Sequence, residues 1–193
     1  MIHRSYLCAA VIGVGLGGCA VHQGPYQPQT ESARDPARAQ SLTMQVTGMI
    51  ERDPVKAEAV LREALTADLY FGPAHNDLGV IYLKRGDLFS AASEFEWAAR
   101  LMPNHPDPRM NLALTLERAG RTEEALSAYA TALEVYQGHI PTIEAMTRLQ
   151  VRSGRVTSRT RANLEEIALK GENQKWREWA RLQAIRLIPG DAH

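Results

Sequence analysis

The sequence predicts an all-α chain of stacked antiparallel helix pairs, and three observations lead there. The first is a period: residues 72–105 and 106–139 are successive stretches of 34 residues in which seven positions recur in register. The recurring pairs are Leu78 with Leu112, Gly79 with Ala113, Tyr82 with Leu116, Gly86 with Gly120, Ala91 with Ala125, Phe95 with Tyr129 and Ala98 with Ala132. A fixed period of this length marks units that bury their apolar faces only by stacking on one another. The second is the run of small residues where two helices must touch, which gives each unit a helix pair. The third is punctuation: Gly86-Asp87 and Gly120-Arg121-Thr122 each read as a helix stop followed at once by a new start. No segment reads as a strand.

Taken in order, the chain begins with His3 and Arg4 ahead of an apolar run from Tyr6 to Gly15. That run falls short of the roughly 20 residues a membrane-spanning helix needs, so residues 1–18 read as an export signal. Its ending, Leu16-Gly17-Gly18-Cys19, resembles a bacterial lipobox, and the resemblance implies cleavage before Cys19 and lipidation of its thiol. A plain signal peptide with an incidental cysteine is the competing reading. Cys8 and Cys19 are the two cysteines, so a mature chain beginning at Cys19 has no disulfide and relies on its apolar core. Ala20 follows where enteric inner-membrane lipoproteins usually carry Asp, which by the same resemblance implies an outer-membrane anchor facing the periplasm. Residues 19–37, rich in Pro, Gln and small polar side chains, offer too little apolar surface to offset the entropy of ordering and read as a flexible tether.

Helices follow. Asp53-Pro54 supplies an N-cap acceptor and a first-turn proline, and Ala57, Val60, Leu61, Ala64 and Leu65 then recur at helical spacing to about Asp68. The punctuation predicts further helices over 73–85, 88–101, 107–119 and 122–135. Pro141 opens one to about Ser153, another spans 157–170, and Gly171 separates a last helix over 173–187. That last helix carries Trp176 and Trp179, read as a lid over the open apolar face of the final pair.

The recurring residues resemble the tetratricopeptide repeat (TPR) pattern of Leu-Gly, Tyr, Gly, Ala, Phe, Ala and Pro, met here by Leu78, Gly79, Tyr82, Gly86, Ala91, Phe95, Ala98 and Pro103. The resemblance implies a right-handed TPR-like superhelix over residues 38–170, with 72–105 and 106–139 clear. Residues 38–71 are divergent, because Met44 and Gln45 stand at the Leu-Gly positions while Ala57, Leu61 and Ala64 keep the second-helix pattern. Residues 140–170 are degenerate, with Arg159 and Asn163 in place of small and aromatic residues, and 171–193 form a capping helix and tail. The family binds a peptide or helix along its first helices. Position by position, that face falls on Leu42, Val46, Asn76, Val80, Leu83, Lys84, Met110, Leu114, Glu117 and Arg118. The family's clamp for a C-terminal carboxylate is not reproduced: Leu42 and Val46 occupy two of its positions and Asn111 alone matches.

Chemistry is sparse. There is no metal-type His or Cys pair on a helix, no phosphate-binding glycine loop and no nucleophile elbow, so the sequence implies neither enzyme nor cofactor. His75, His105 and His139 read as exposed loop residues, and Glu94, Glu96, Glu123 and Glu124 as surface carboxylates. Lys and Arg balance Asp and Glu at 22 each, yet residues 148–186 hold ten basic against four acidic side chains, so the middle of the chain is acidic. With an export signal, nucleic acid is not an expected partner. The expected function is a membrane-anchored, non-catalytic adaptor in the assembly of an envelope complex such as a pilus or secretion system; a regulatory subunit of an envelope peptidase or cell-wall hydrolase is the second reading.

Overall fold

The computed structural model describes residues 29–187. The signal segment, Cys19 and the tether to residue 28 lie outside the described residues. After a short 3-10 turn, Glu31–Ala33, come α1 (Pro36–Gln45), α2 (Met49–Arg52), α3 (Pro54–Ala67), α4 (Gly72–Arg85), α5 (Leu88–Leu101), α6 (Asp107–Arg118), α7 (Thr122–Val135), α8 (Ile140–Arg152), α9 (Ser158–Lys170) and α10 (Gln174–Arg186). Each of α3 to α10 lies within a residue or two of its predicted bounds.

Local chemistry explains the starts. Asp35, Asp53, Asp87 and Asn173 each accept a hydrogen bond from a first-turn backbone N–H, at 2.9, 3.0, 3.1 and 3.1 Å. Thr157 and Thr160 form a reciprocal capping box. The turns inside the second, third and fourth pairs carry Gly86, Gly120 and Gly154 at φ 84, 76 and 71°, a left-handed conformation that a Cβ would strain. These glycines are one 34-residue period apart. The fourth unit thus keeps the turn geometry although its second helix has lost the pattern.

Helices pair in antiparallel fashion as α1 with α3, α4 with α5, α6 with α7 and α8 with α9, and α10 stacks on α9. The result is a TPR-like superhelix closed by a terminal helix. Within a pair the contact needs small residues: a Cβ added at Gly79 would lie 2.7 Å from the ring of Phe95, which is fully buried. The core follows the stacking direction in three consecutive clusters. The first runs from Ala39 to Phe95, the second gathers Ala113, Ala125, Tyr129 and Leu149, and the third joins Ile143, Leu164, Ile167 and Ala180. Trp176 and Trp179 pack against the third cluster, at the last pair among the described residues, with their rings edge to face and centroids 5.3 Å apart.

The first pair departs from the expected register. Ala57, Leu61 and Ala64 are fully buried as the period requires, but Met44, at the expected position of a core leucine, is 68 % exposed. The physical reason is the extra turn α2, entered through Gly48 at φ 73°, which shifts α1 relative to the 34-residue frame. Residues 29–35 also differ from a free tether. Gln29 bonds the carbonyl of Thr66 and the N–H of Leu69, at 2.9 and 2.8 Å, and Arg34 grips Asp68 with two bonds of 2.8 and 3.2 Å. Burial raises the Asp68 pKa, and the Arg34 guanidinium together with the Tyr70 N–H more than offsets this, leaving it below the usual carboxylate value. Docking here is polar, which is why a search for apolar anchors does not find it.

Candidate functional site

The first helices form a continuous face. α1 touches α4, α4 touches α6 and α6 touches α8, and side chains cross each of the later junctions. Asn111 Nδ2 donates to Asn76 Oδ1 at 3.0 Å, Arg118 donates to the carbonyl of Leu83 at 3.1 Å, and Arg148 and Arg152 each donate to Glu117 at 3.1 Å. The second helices splay instead, with grooves of about 480 Å³ between α3 and α5 and about 260 Å³ between α7 and α9. The close-packed first helices are therefore the inner, concave wall.

The predicted inner-face residues divide. Asn76, Val80, Met110 and Leu114 are half-buried, with one side of Val80 and Leu114 packed against the first core cluster and of Met110 against the second. Leu42 is half-buried against the first cluster. Val46 and Leu83 are core residues, at 0 and 6 % exposure, and do not line a groove. Val46 is placed by the period that α2 interrupts; Leu83 is covered because its side chain belongs to the first core cluster. Lys84 pairs with Glu51 at the rim. Glu117 is consumed internally: with its side chain 5 % exposed, it accepts from the Tyr129 phenol at 2.9 Å as well as from the two arginines. Burial, then the adjacent Glu117 charge, pushes the Tyr129 pKa upward, so the phenol stays a donor.

Two expectations about titratable groups are corrected. His75 is no loop residue. It is fully buried in α4, with Nδ1 2.7 Å from Glu94 Oε2, Nε2 2.8 Å from the Leu69 carbonyl, and its ring stacked on Trp97 at 5.4 Å. Glu94 is correspondingly buried and not a surface carboxylate. The pair ties α5 to α4 and to the turn before it, closed from solvent. His139 also has most of its side chain covered, bonded to Thr142 and 3.3 Å from Asp107, whereas His105 is exposed. Among the described residues no group of His, Cys, Asp and Glu is arranged to hold a metal ion.

Three of the ten cations of the basic C-terminal stretch reach back to the acidic middle, and others are held within the stretch itself. Arg148 and Arg152 hold Glu117, Arg155 holds Glu123, and Lys170 holds Glu166. Arg177 and Arg181 donate to the carbonyls of Gly171 and Ala168. At Arg148, Arg152 and Arg155 the charge asymmetry joins neighbouring repeats, and Arg148 also lies over the Trp176 ring at 6.0 Å.

One inner-face residue escaped the sequence reading. Asp77, half-buried on α4, lies beside Asn76 and one period before Asn111. Burial pushes its pKa above the usual carboxylate value, and a hydrogen bond from Asn76 only partly counters this. The signal was present, since Asn111 matched the clamp position and Asp77 is its equivalent in the preceding repeat.

No family model matches the chain. A TPR repeat-containing protein of Pseudomonas aeruginosa is 26 % identical over 209 aligned positions, covering 88 % of this chain and 85 % of that one. Tetratricopeptide repeat protein 8 of Caenorhabditis elegans is 31 % identical over 77 residues, 40 % of this chain but only 14 % of that protein. Among solved structures, the first TPR of Spaghetti bound to an HSP90 peptide, SRMEEVD, superposes with a TM-score of 0.58 at 15 % identity, over 63 % of this chain and 98 % of that one. The chain is a TPR-like repeat protein. MamA gives a TM-score of 0.56 at 17 % identity, over 79 % of this chain and 81 % of its own. The TPR-like array extends through the fourth helix pair, which the residue pattern alone left degenerate.

Proposed function

We propose that this TPR-like chain is a non-catalytic adaptor: the inner groove binds a peptide or helix of another protein, and an N-terminal lipid at Cys19 holds the array on the periplasmic side of the outer membrane. The observation that carries the adaptor half is the groove itself. Val80, Met110 and Leu114 present partly exposed apolar surface on a wall whose backbone is already fixed by inter-repeat hydrogen bonds, so a ligand meets a preorganised face. The solved neighbour with a bound HSP90 peptide supports the same use of the fold. The anchor half rests on Leu16-Gly17-Gly18-Cys19. A machine assembled at the envelope, such as a pilus or secretion system, is the setting that joins the two.

One fractionation experiment addresses both halves. Cys19→Ser is expected to lose lipid labelling and move from the membrane to the soluble periplasm, because each acyl CH2 buried in the bilayer contributes about 0.8 kcal/mol. Proteins captured with the wild type should also be captured with the soluble variant, since the groove is untouched. Membrane retention at unchanged gel mobility contradicts the anchor, and a chain that captures nothing in either form contradicts the adaptor.

A further inference from the structure

Asp77 is out of keeping with the other withdrawn carboxylates of the fold. Asp68 is held by Arg34, Glu58 by Arg62 and Arg85, and Glu117 by Arg148 and Arg152. Glu144, fully buried, accepts the backbone N–H of Glu172 at 2.8 Å. Asp77 takes part in none of the ion pairs among the described residues, and its hydrogen bond there is a long one, 3.4 Å from Asn76 Nδ2. Asn76 accepts from Asn111 through Oδ1 and turns Nδ2 toward Asp77, a neutral donor that brings no countercharge. A carboxylate partly withdrawn from water without a cation is costly, and an incoming cation removes that cost.

Its surroundings define what can deliver the cation. Asn76 and Asn111 extend polar contacts on one side; Val80, Met110 and Leu114 are half-buried apolar side chains on the same inner wall. We propose that the groove selects a partner segment that sets one lysine or arginine side chain on Asp77 between apolar neighbours, a reading that rests on the groove being the binding surface. The charge that the segment carries is opposite to that of a tail-carboxylate ligand. An acidic peptide would bring like charge to an already desolvated carboxylate, so the groove discriminates by repulsion as well as by attraction.

The test screens the mature chain in detergent against a random peptide display library, with Asp77→Asn, Asp77→Lys and the double variant Val80→Glu, Leu114→Glu in parallel. The wild type should enrich peptides with Lys or Arg flanked by apolar residues. Asp77→Asn should bind those peptides about tenfold or more weakly, with little change toward versions bearing norleucine for lysine. Asp77→Lys should enrich Asp or Glu at the same place. The melting temperature of Asp77→Asn should equal or exceed that of the wild type, because a desolvated charge has been removed; a clear loss would make Asp77 a structural residue and overturn the inference. Equal binding of lysine peptides by wild type and Asp77→Asn, with binding still abolished in the double variant, overturns the Asp77 assignment and leaves the groove standing. Undiminished binding by the double variant overturns the groove and the assignment together.

Discussion

Glu94→Ala is expected to lower the melting temperature by about 6–12 °C, the shift that roughly 3 kcal/mol produces in a domain of this size. Glu94 and His75 are both buried, and the mutation leaves the imidazole facing the Leu69 carbonyl without its carboxylate. Removing one member of a buried hydrogen-bonded pair typically costs about 3–5 kcal/mol, because the remaining polar group stays desolvated. Glu94→Gln retains an oxygen in place and should cost less. The combination His75→Leu with Glu94→Leu should recover most of the loss, since two apolar groups need no partners. Thermal denaturation followed by circular dichroism measures all three, and a wild-type melt for Glu94→Ala would contradict the buried pairing.

Glu117→Ala is expected to cost about 2 kcal/mol, less than Glu94→Ala because Arg148 and Arg152 reach partly into solvent. The loss has a direction. Glu117 on α6 accepts from Tyr129 on α7 and from both arginines on α8, so its removal unpins the fourth helix pair from the third and leaves the Tyr129 phenol without its acceptor. Since repeats touch only their neighbours, the C-terminal pairs should loosen first. Hydrogen exchange should show faster amides in α8 to α10 with little change in α3 to α5; uniform acceleration would contradict the one-dimensional arrangement.

The period made the two central repeats legible, including small residues where the helices of a pair touch, because their packing repeats the same residues at the same spacing; that Gly79 meets Phe95 emerges only in the fold. It misplaced α1, since a four-residue helix inserted after Gly48 carries no signal in a frame built on recurrence. Val46 was lost from the groove for that reason. Glu117 fell out for another: a register says which way a side chain points, not that a neighbouring repeat already occupies it, and Leu83 joins the first core cluster instead of the groove. His75 was misread because a lone histidine in a sequence does not reveal its partner, and Glu94 is nineteen residues away across a helix pair. Asp77, by contrast, was within reach of the period and needed only the comparison with Asn111.

The central claim is that another protein binds along the inner face, and it is tested most directly by affinity capture from solubilised envelopes with wild type and Val80→Glu, Leu114→Glu side by side. Val80 and Leu114 each pack one side against the first core cluster, so the double variant should melt somewhat below wild type, while their half-exposed positions let the two carboxylates reach water and the chain stay folded and helical. Once a partner covers them they become unpaired buried charges, and binding should weaken by several kcal/mol, about 3 or more. The predicted result is a folded double variant that no longer retrieves the proteins captured by the wild type. Retrieval of the same proteins in the same amounts by a folded double variant would contradict it.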